Sequence, residues 1–225
     1  MNGHPLDRAV LHALESRQSH LSIGGDHARR FLPDVSPFAA IPDGCDLSVE
    51  ALSELVRDHG PAALLQPDTI ASSPGLTLRT SAGVQMVANR RMPDCPTVDA
   101  ALLGQADVPE MRALAALTEP GPFLARTHIL GDFYGVREGG RLIAMAGERL
   151  KLAGYTEVSG VCTHPDRRGR GLAGALTRLV AGKISARGET PFLHAYATNA
   201  GAIRLYETLG FTLRSRVTLT IVELA

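Results

Sequence analysis

Tryptophan is absent from this chain, and only four tyrosines and six phenylalanines stand among its 225 residues. That leaves too few aromatics for a platform on which successive bases could stack. Net charge is also absent, because 23 Lys and Arg offset 23 Asp and Glu. Proteins that hold polyanions usually carry a clear basic excess, so neither nucleic acid nor a membrane is an expected partner. Any anion site has to be local. Cysteine is scarce: Cys45, Cys95 and Cys162 are odd in number and far apart, which fits neither a disulfide framework nor a zinc pattern. No apolar run approaches the ~20 residues of a membrane span. The opening stretch "MNGHPLDRAVLHALESRQ" has no apolar core of signal-peptide length, so the expected location is cytoplasmic. The remaining composition, 44% apolar and 20% charged, is that of an ordinary soluble globule.

Periodicity organises the rest. "PLDRAVLHALES" places Leu6, Val10, Leu11 and Leu14 on one helical face. "IGGDHARRFLPDVSPFAAIPDG" reads as irregular. "SVEALSELVRDHG" predicts a helix capped by Ser48 and stopped by Gly60. "LTLRTSAGVQMVANR" suggests two short strands about a small-residue turn. Two prolines in "RRMPDCPT" suggest a boundary near Cys95, dividing residues 1–95, a possible degenerate companion domain, from residues 96–225. Beyond it come a strand, a helix over "DVPEMRALAALTE" capped by Asp107, and a hairpin turning at "EGG". The strand "YTEVSGVCTH" follows, then a glycine loop, a helix over about 172–186 and the strand "PFLHAYATN". A helix over "AGAIRLYETLGF" and one or two final strands end the chain. The expected class is α+β, close to α/β.

The loop "RRGRGLAGAL" carries the strongest chemical signal. A strand ends before it and a helix opens within it. The first N–H groups of a helix lack internal partners and lie at its positive end. Gly169 and Gly171 keep side chains away from them, so an anion such as a pyrophosphate can approach. Arg167, Arg168 and Arg170 add positive charge suited to phosphate. "GRGLAG" also matches the dinucleotide fingerprint, and an NAD(P)-dependent oxidoreductase is one reading. Against it, only about 50 residues follow Gly171, and the next strand ends in Thr198–Asn199 rather than an acidic residue for the ribose. A solvated surface turn is the plainest reading.

A longer match favours another function. "VCTHPDRRGRGLAG" resembles the acyl-CoA signature of the GNAT superfamily of N-acyltransferases: Arg168, Gly171 and Ala173 fit its spacing, with Gly169 in the usual additional position. "NAGAIRLYETLGF" resembles the family's second motif through Asn199, Ala202, Leu205, Tyr206, Gly210 and Phe211. The resemblance covers roughly residues 97–225. It implies a mixed central sheet with two splayed parallel strands and flanking helices, preceded by an N-terminal α/β segment, and acetyl-CoA as cosubstrate.

It further implies that the backbone of Val161, Cys162 and Thr163 pairs with the pantetheine arm, while Arg168, Gly169, Arg170, Gly171, Leu172, Ala173 and Gly174 hold the pyrophosphate. Asn199 would touch the cofactor arm, although as a helix N-cap it needs no further role. Tyr206 would protonate the leaving thiolate, or else simply belong to an apolar face. The acceptor amine must lose a proton. Glu157, on the face of Ser159, Val161 and Thr163 if the strand is regular, ranks first as base. His194 ranks second, where some relatives carry Glu; its unperturbed pKa of ~6.5 makes it chemically able. A satisfied polar strand residue is the plain alternative for both. Cys162, a small buried thiol, is not expected to act as a nucleophile. Direct attack in a ternary complex needs none, with the N–H of Cys162 or Thr163 as oxyanion donor. The expected acceptor is a small-molecule, peptide or protein amine, no metal is implied, and a homodimer is compatible. A non-catalytic acyl-CoA sensor stays open as an alternative.

Overall fold

The computed structural model describes residues 3–71, 74–93 and 98–225. Among these residues eleven strands form one sheet in the order β1-β2-β3-β4-β11-β5-β10-β9-β8-β7-β6. The N-terminal strands are β1 (Ser22–Gly24), β2 (Arg29–Phe31), β3 (Phe38–Ala40), β4 (Ala62–Gln66) and β5 (Leu76–Ala88). The others are β6 (Ala101–Leu103), β7 (Phe133–Glu138), β8 (Arg141–Leu152), β9 (Tyr155–Thr163), β10 (Thr190–Tyr196) and β11 (Phe211–Leu224). The α-helices of the described residues are α1 (Ala9–Glu15), α2 (Asp46–His59), α3 (Val108–Thr118), α4 (Leu172–Ala186) and α5 (Ala200–Thr208).

Strand alternation sorts the two faces. Phe192 packs with Leu6, Val10 and Leu14 beneath α1. Its neighbour Leu193 points the other way, into Leu176, Val180 and Ile184 of α4. These three α4 residues are fully buried at helical spacing. Truncating Leu176 or Ile184 to Ala is expected to cost about 2–5 kcal/mol. Tyr206, Leu209 and Phe211 join that second cluster, so α5 lies on the α4 face.

Several local expectations are corrected. The segment read as irregular contains the three short strands β1 to β3; at three residues each they are too brief for a visible alternation. The small-residue stretch Ser81–Gly83 is no turn but the middle of β5, a single 13-residue strand. A Cβ at position 83 would lie 3.1 Å from Val217 Cγ2 and 3.3 Å from the Ala195 carbonyl oxygen, so close approach of both neighbouring strands selects glycine there. Helix α2 begins two residues before the expected cap, and Ser48 lies inside it, donating from Oγ to Asp43 Oδ1 at 2.8 Å. Asp107 is at the N-cap of α3 but makes no side-chain capping bond. Its carboxylate accepts from the Gly104 N–H at 2.8 Å and pairs with Arg137.

The expected boundary near Cys95 lies outside the described residues. On either side of it the strands share one sheet. Strand β5 pairs antiparallel with β10 along Phe192–Tyr196 and with β11 along most of its length. No helix among the described residues is long and apolar enough to cross a membrane.

Candidate active site

Strands β9 and β10 run parallel but pair only at Thr190–Tyr155, Pro191–Thr156 and Phe192–Glu157. Past that point β10 continues on β5 while β9 continues on β8. A wedge therefore opens at the centre of the sheet, and the β10-facing backbone groups of β9 have no ladder partner there.

Strand β9 is not regular within the wedge. Gly147 pairs with Ser159 and Met145 with Cys162, so three steps on β9 oppose two on β8. Gly160, at φ 63°, absorbs this bulge. The bulge overturns the expectation that Glu157, Val161 and Thr163 share a face. Val161 packs toward the α4 cluster, whereas Cys162 packs with α3 on the opposite side.

Beyond β9, His164 shapes the turn: its Nδ1 accepts from the Asp166 N–H at 3.3 Å, and its Nε2 lies 2.8 Å from Arg141 Nη2. Gly169 (φ 78°) and Gly171 (φ 74°) take left-handed backbone conformations, and Gly171 is the N-cap of α4. A Cβ at either would meet nothing within 4 Å. The loop thus offers open space in front of the α4 N-terminus, which suits a pyrophosphate. Its arginines are not equivalent. Arg167 and Arg170 both bind the carboxylate of Glu138, while Arg168 makes no ion pair among the described residues.

A groove of about 460 Å³ runs along this loop. Val161, Cys162, Thr163 and 168–174 line it, as do Asn199 and Tyr206. The sequence-derived cofactor residues are thus brought together. Thr118 also lines the groove, and no motif pointed to it. Asn199 accepts from the Ala202 N–H at 3.1 Å, so it caps α5 while facing the groove. Tyr206 is 8% exposed, and its hydroxyl makes no hydrogen bond within the described protein. Burial pushes its pKa up to about 12. The Cys162 thiol is also buried and rises to about 11, again through burial, so it stays protonated near neutrality.

A second cavity, about 170 Å³, meets the groove at Val161, Asn199, Ala202 and Tyr206. It extends over Phe38, Leu65 and Leu219, and His194 and Arg149 also line it. Residues from before position 95 therefore build part of its wall.

The two base candidates belong to one polar ladder across five strands. Arg149 grips Glu157 with both prongs, Nε to Oε2 at 2.8 Å and Nη2 to Oε1 at 2.6 Å. His194 Nδ1 donates to the same Oε1 at 2.7 Å. Gln85 Nε2 donates to His194 Nε2 at 3.0 Å and to the Leu6 carbonyl at 2.8 Å. Arg214 donates to Gln85 Oε1 at 2.7 Å and pairs with Asp7. These partners fix the Gln85 amide, and with it the His194 tautomer: hydrogen on Nδ1, lone pair on Nε2.

Glu157 itself is wholly buried and lines neither cavity. Burial opposes its charge, but the charge and hydrogen bonds of Arg149, followed by those of His194, outweigh it and hold its pKa at about 2. A carboxylate so acidic and so enclosed is a poor proton acceptor, so Glu157 stands behind His194 rather than ahead of it. Arg149 and Gln85 were missed in the sequence. Their only signal is polarity inside otherwise apolar strands, "AMAGERLKL" and "AGVQMVA".

Residues 133–220 match the family model described as FR47-like protein. A GNAT-family protein from Novosphingobium aromaticivorans, assigned as an acetyltransferase, superposes with a TM-score of 0.93 at 45% identity, covering 99% of this chain and 100% of that one. The chain belongs to the GNAT family of acetyltransferases. A GCN5-related N-acetyltransferase from Kribbella flavida shares the fold at 19% identity, with a TM-score of 0.60 over 95% of this chain and 91% of its own. A mycothiol acetyltransferase from Mycolicibacterium paratuberculosis is 34% identical over 173 residues, 65% of this chain and 49% of the relative. The chain thus spans about half the length of that curated relative. As a GNAT acetyltransferase it has the expected mixed sheet with splayed strands. Nothing in the comparisons supports the dinucleotide or the sensor alternative, and the sheet speaks against the first: a dinucleotide fold needs a largely parallel sheet, whereas most ladders here are antiparallel and only β3–β4 and β9–β10 run parallel among the described strands.

Proposed function

We propose that this protein transfers the acetyl group of acetyl-CoA to a small amine by direct attack within a ternary complex. The observation that carries this reading is the meeting of two cavities at Val161, Asn199, Ala202 and Tyr206, one beside the glycine loop and one beside His194. On this reading residues 96–225 hold acetyl-CoA, and residues 1–95 complete the acceptor wall. The loop from Arg168 to Gly174 holds the pyrophosphate. The open backbone of β9 holds the pantetheine arm and offers an N–H to the developing oxyanion. Acetyl-CoA supplies an activated thioester.

His194 takes one proton from the acceptor ammonium at Nε2, and the hydrogen bond that Gln85 donates to that atom breaks as it does so, Gln85 staying held by the Leu6 carbonyl and Arg214. Glu157 balances the imidazolium through Nδ1. The freed nitrogen forms the C–N bond as the C–S bond breaks. Tyr206 delivers its proton to the departing sulfur and is restored by the second proton leaving nitrogen. The net result is an acetamide, free CoA and one released proton. A buried phenol with no internal hydrogen-bond partner suits this role, because its proton is available for donation but is not lost to solvent at working pH.

The test is thiol release from acetyl-CoA with a panel of primary amines. The account predicts amine-dependent release in the wild type and its near loss in Tyr206→Phe. Equal release by both proteins would remove Tyr206 from the chemistry, and no release with any amine would remove the transferase reading.

A further inference from the structure

The acceptor cavity has an asymmetry that the transfer chemistry leaves unused. Arg149 is 9% exposed, on the cavity wall, with its guanidinium 4.7 Å from the centre of the Phe38 ring. Its Nε and Nη2 are committed to Glu157, whereas its Nη1 has no hydrogen-bond partner among the described residues. Nη1 is thus the donor that this largely buried guanidinium leaves free on the cavity wall, where an anionic group entering the cavity can reach it. Its position relative to the base is equally specific. Arg149 Nη2 and His194 Nδ1 both donate to Glu157 Oε1, so guanidinium and imidazole flank a single carboxylate oxygen.

We propose, on the basis of the transferase reading above, that the acceptor is a free α-amino acid with a small apolar side chain, its carboxylate held by Arg149 Nη1 and its amine presented to His194. An amine and a carboxylate on one carbon match two recognition groups set side by side, and a guanidinium suits a carboxylate by charge and geometry. The remaining lining supplies the side-chain site: Leu65, Val217 and Leu219 are apolar, and a cavity of about 170 Å³ limits the size. Glu119 stands at the same cavity, its carboxylate without an ion-pair partner among the described residues, and favours the ammonium end. It adopts φ 49°, the one left-handed non-glycine backbone among the described residues.

The experiment supplies the full-length protein with acetyl-CoA and two pools, free alanine, valine, leucine and methionine in one and their methyl esters in the other. N-acetylated products are counted by mass spectrometry. The esters carry the less basic amine and would win on nucleophile supply alone. The expected result is a preference for the free acids of at least about tenfold in kcat/KM, the discrimination of one buried charged contact. In Arg149→Lys, which keeps a cation against Glu157 but loses the guanidinium fork, that preference should collapse chiefly through KM. Esters acetylated as well as acids would overturn the proposal. So would a preference that survives in a folded Arg149→Lys, or bound acetyl-CoA with no product from either pool; these leave the transferase reading standing. Failure of acetyl-CoA to bind would instead defeat that reading itself, and the acceptor assignment with it.

Discussion

Replacing Glu157 with Gln should unmask how strongly the polar ladder is held. The carboxyl sits at about 2 against an ordinary 4.5. At ~1.4 kcal/mol per pKa unit, that difference corresponds to about 3 kcal/mol of stability tied to the ionised form. The sign follows from the depression. The contribution is present in full above the unfolded-state pKa and is lost as pH falls through the window from 4.5 toward 2. Several other carboxylates, among them Asp7, Asp107 and Glu189, also have lowered pKa values, so the acid sensitivity of the wild type is shared. The comparison of wild type with Glu157→Gln isolates one group. Urea unfolding at pH 7 should show the variant less stable by about 3 kcal/mol, within the range for breaking a buried ion pair. The gap should narrow steadily in unfolding series taken from pH 5 down to pH 3. A gap below about 1 kcal/mol at pH 7, or one that does not change with pH, would refute the ladder as an electrostatic unit. The variant's kcat should also fall, since His194 loses the negative charge that balances its imidazolium, while acetyl-CoA affinity should stay within about twofold.

Other outcomes follow from the same geometry. Tyr206→Phe should lower kcat by about 10²–10⁴ with little change in unfolding midpoint, because the hydroxyl has no internal hydrogen bond to lose. With its pKa near 12, Tyr206 should impose no alkaline limb on the wild-type rate below about pH 11, which a pH–rate profile would check. Cys162→Ala should retain most activity, and iodoacetamide at pH 8 should label exposed Cys45 well before Cys162, whose buried thiol sits at about 11; mass mapping of the alkylated peptides reads this directly. His194→Gln should reduce kcat far more than the KM for acetyl-CoA, as judged by steady-state kinetics in both substrates.

Much of the C-terminal half was legible because its signals are local. Helix α4 announces itself through Leu176, Val180 and Ile184 at helical spacing behind a glycine loop, and α5 through an Asn cap and an apolar face. The N-terminal half was read less well. Strands of three residues carry no usable alternation, and the glycine and alanine of β5 mark close strand packing rather than a turn. The cofactor side of the site was visible as motif spacing. The acceptor side was not, because Arg149, Gln85 and Arg214 reach His194 and Glu157 only through sheet pairing between distant segments. The Gly160 bulge also reverses side-chain direction in a strand that looks regular in sequence, which is why Glu157 seemed to face the substrate alongside Val161.

The most direct test of the central claim is calorimetric titration of acetyl-CoA and of NADPH into the wild type and Gly171→Glu. The variant places a carboxylate at the α4 N-terminus, where the backbone is left-handed and the space is open. The account predicts that acetyl-CoA binds the wild type, that a folded Gly171→Glu loses that binding, and that NADPH binds neither. Acetyl-CoA binding unchanged in the variant, or NADPH binding in place of acetyl-CoA, would contradict the assignment of this loop to the acetyl donor.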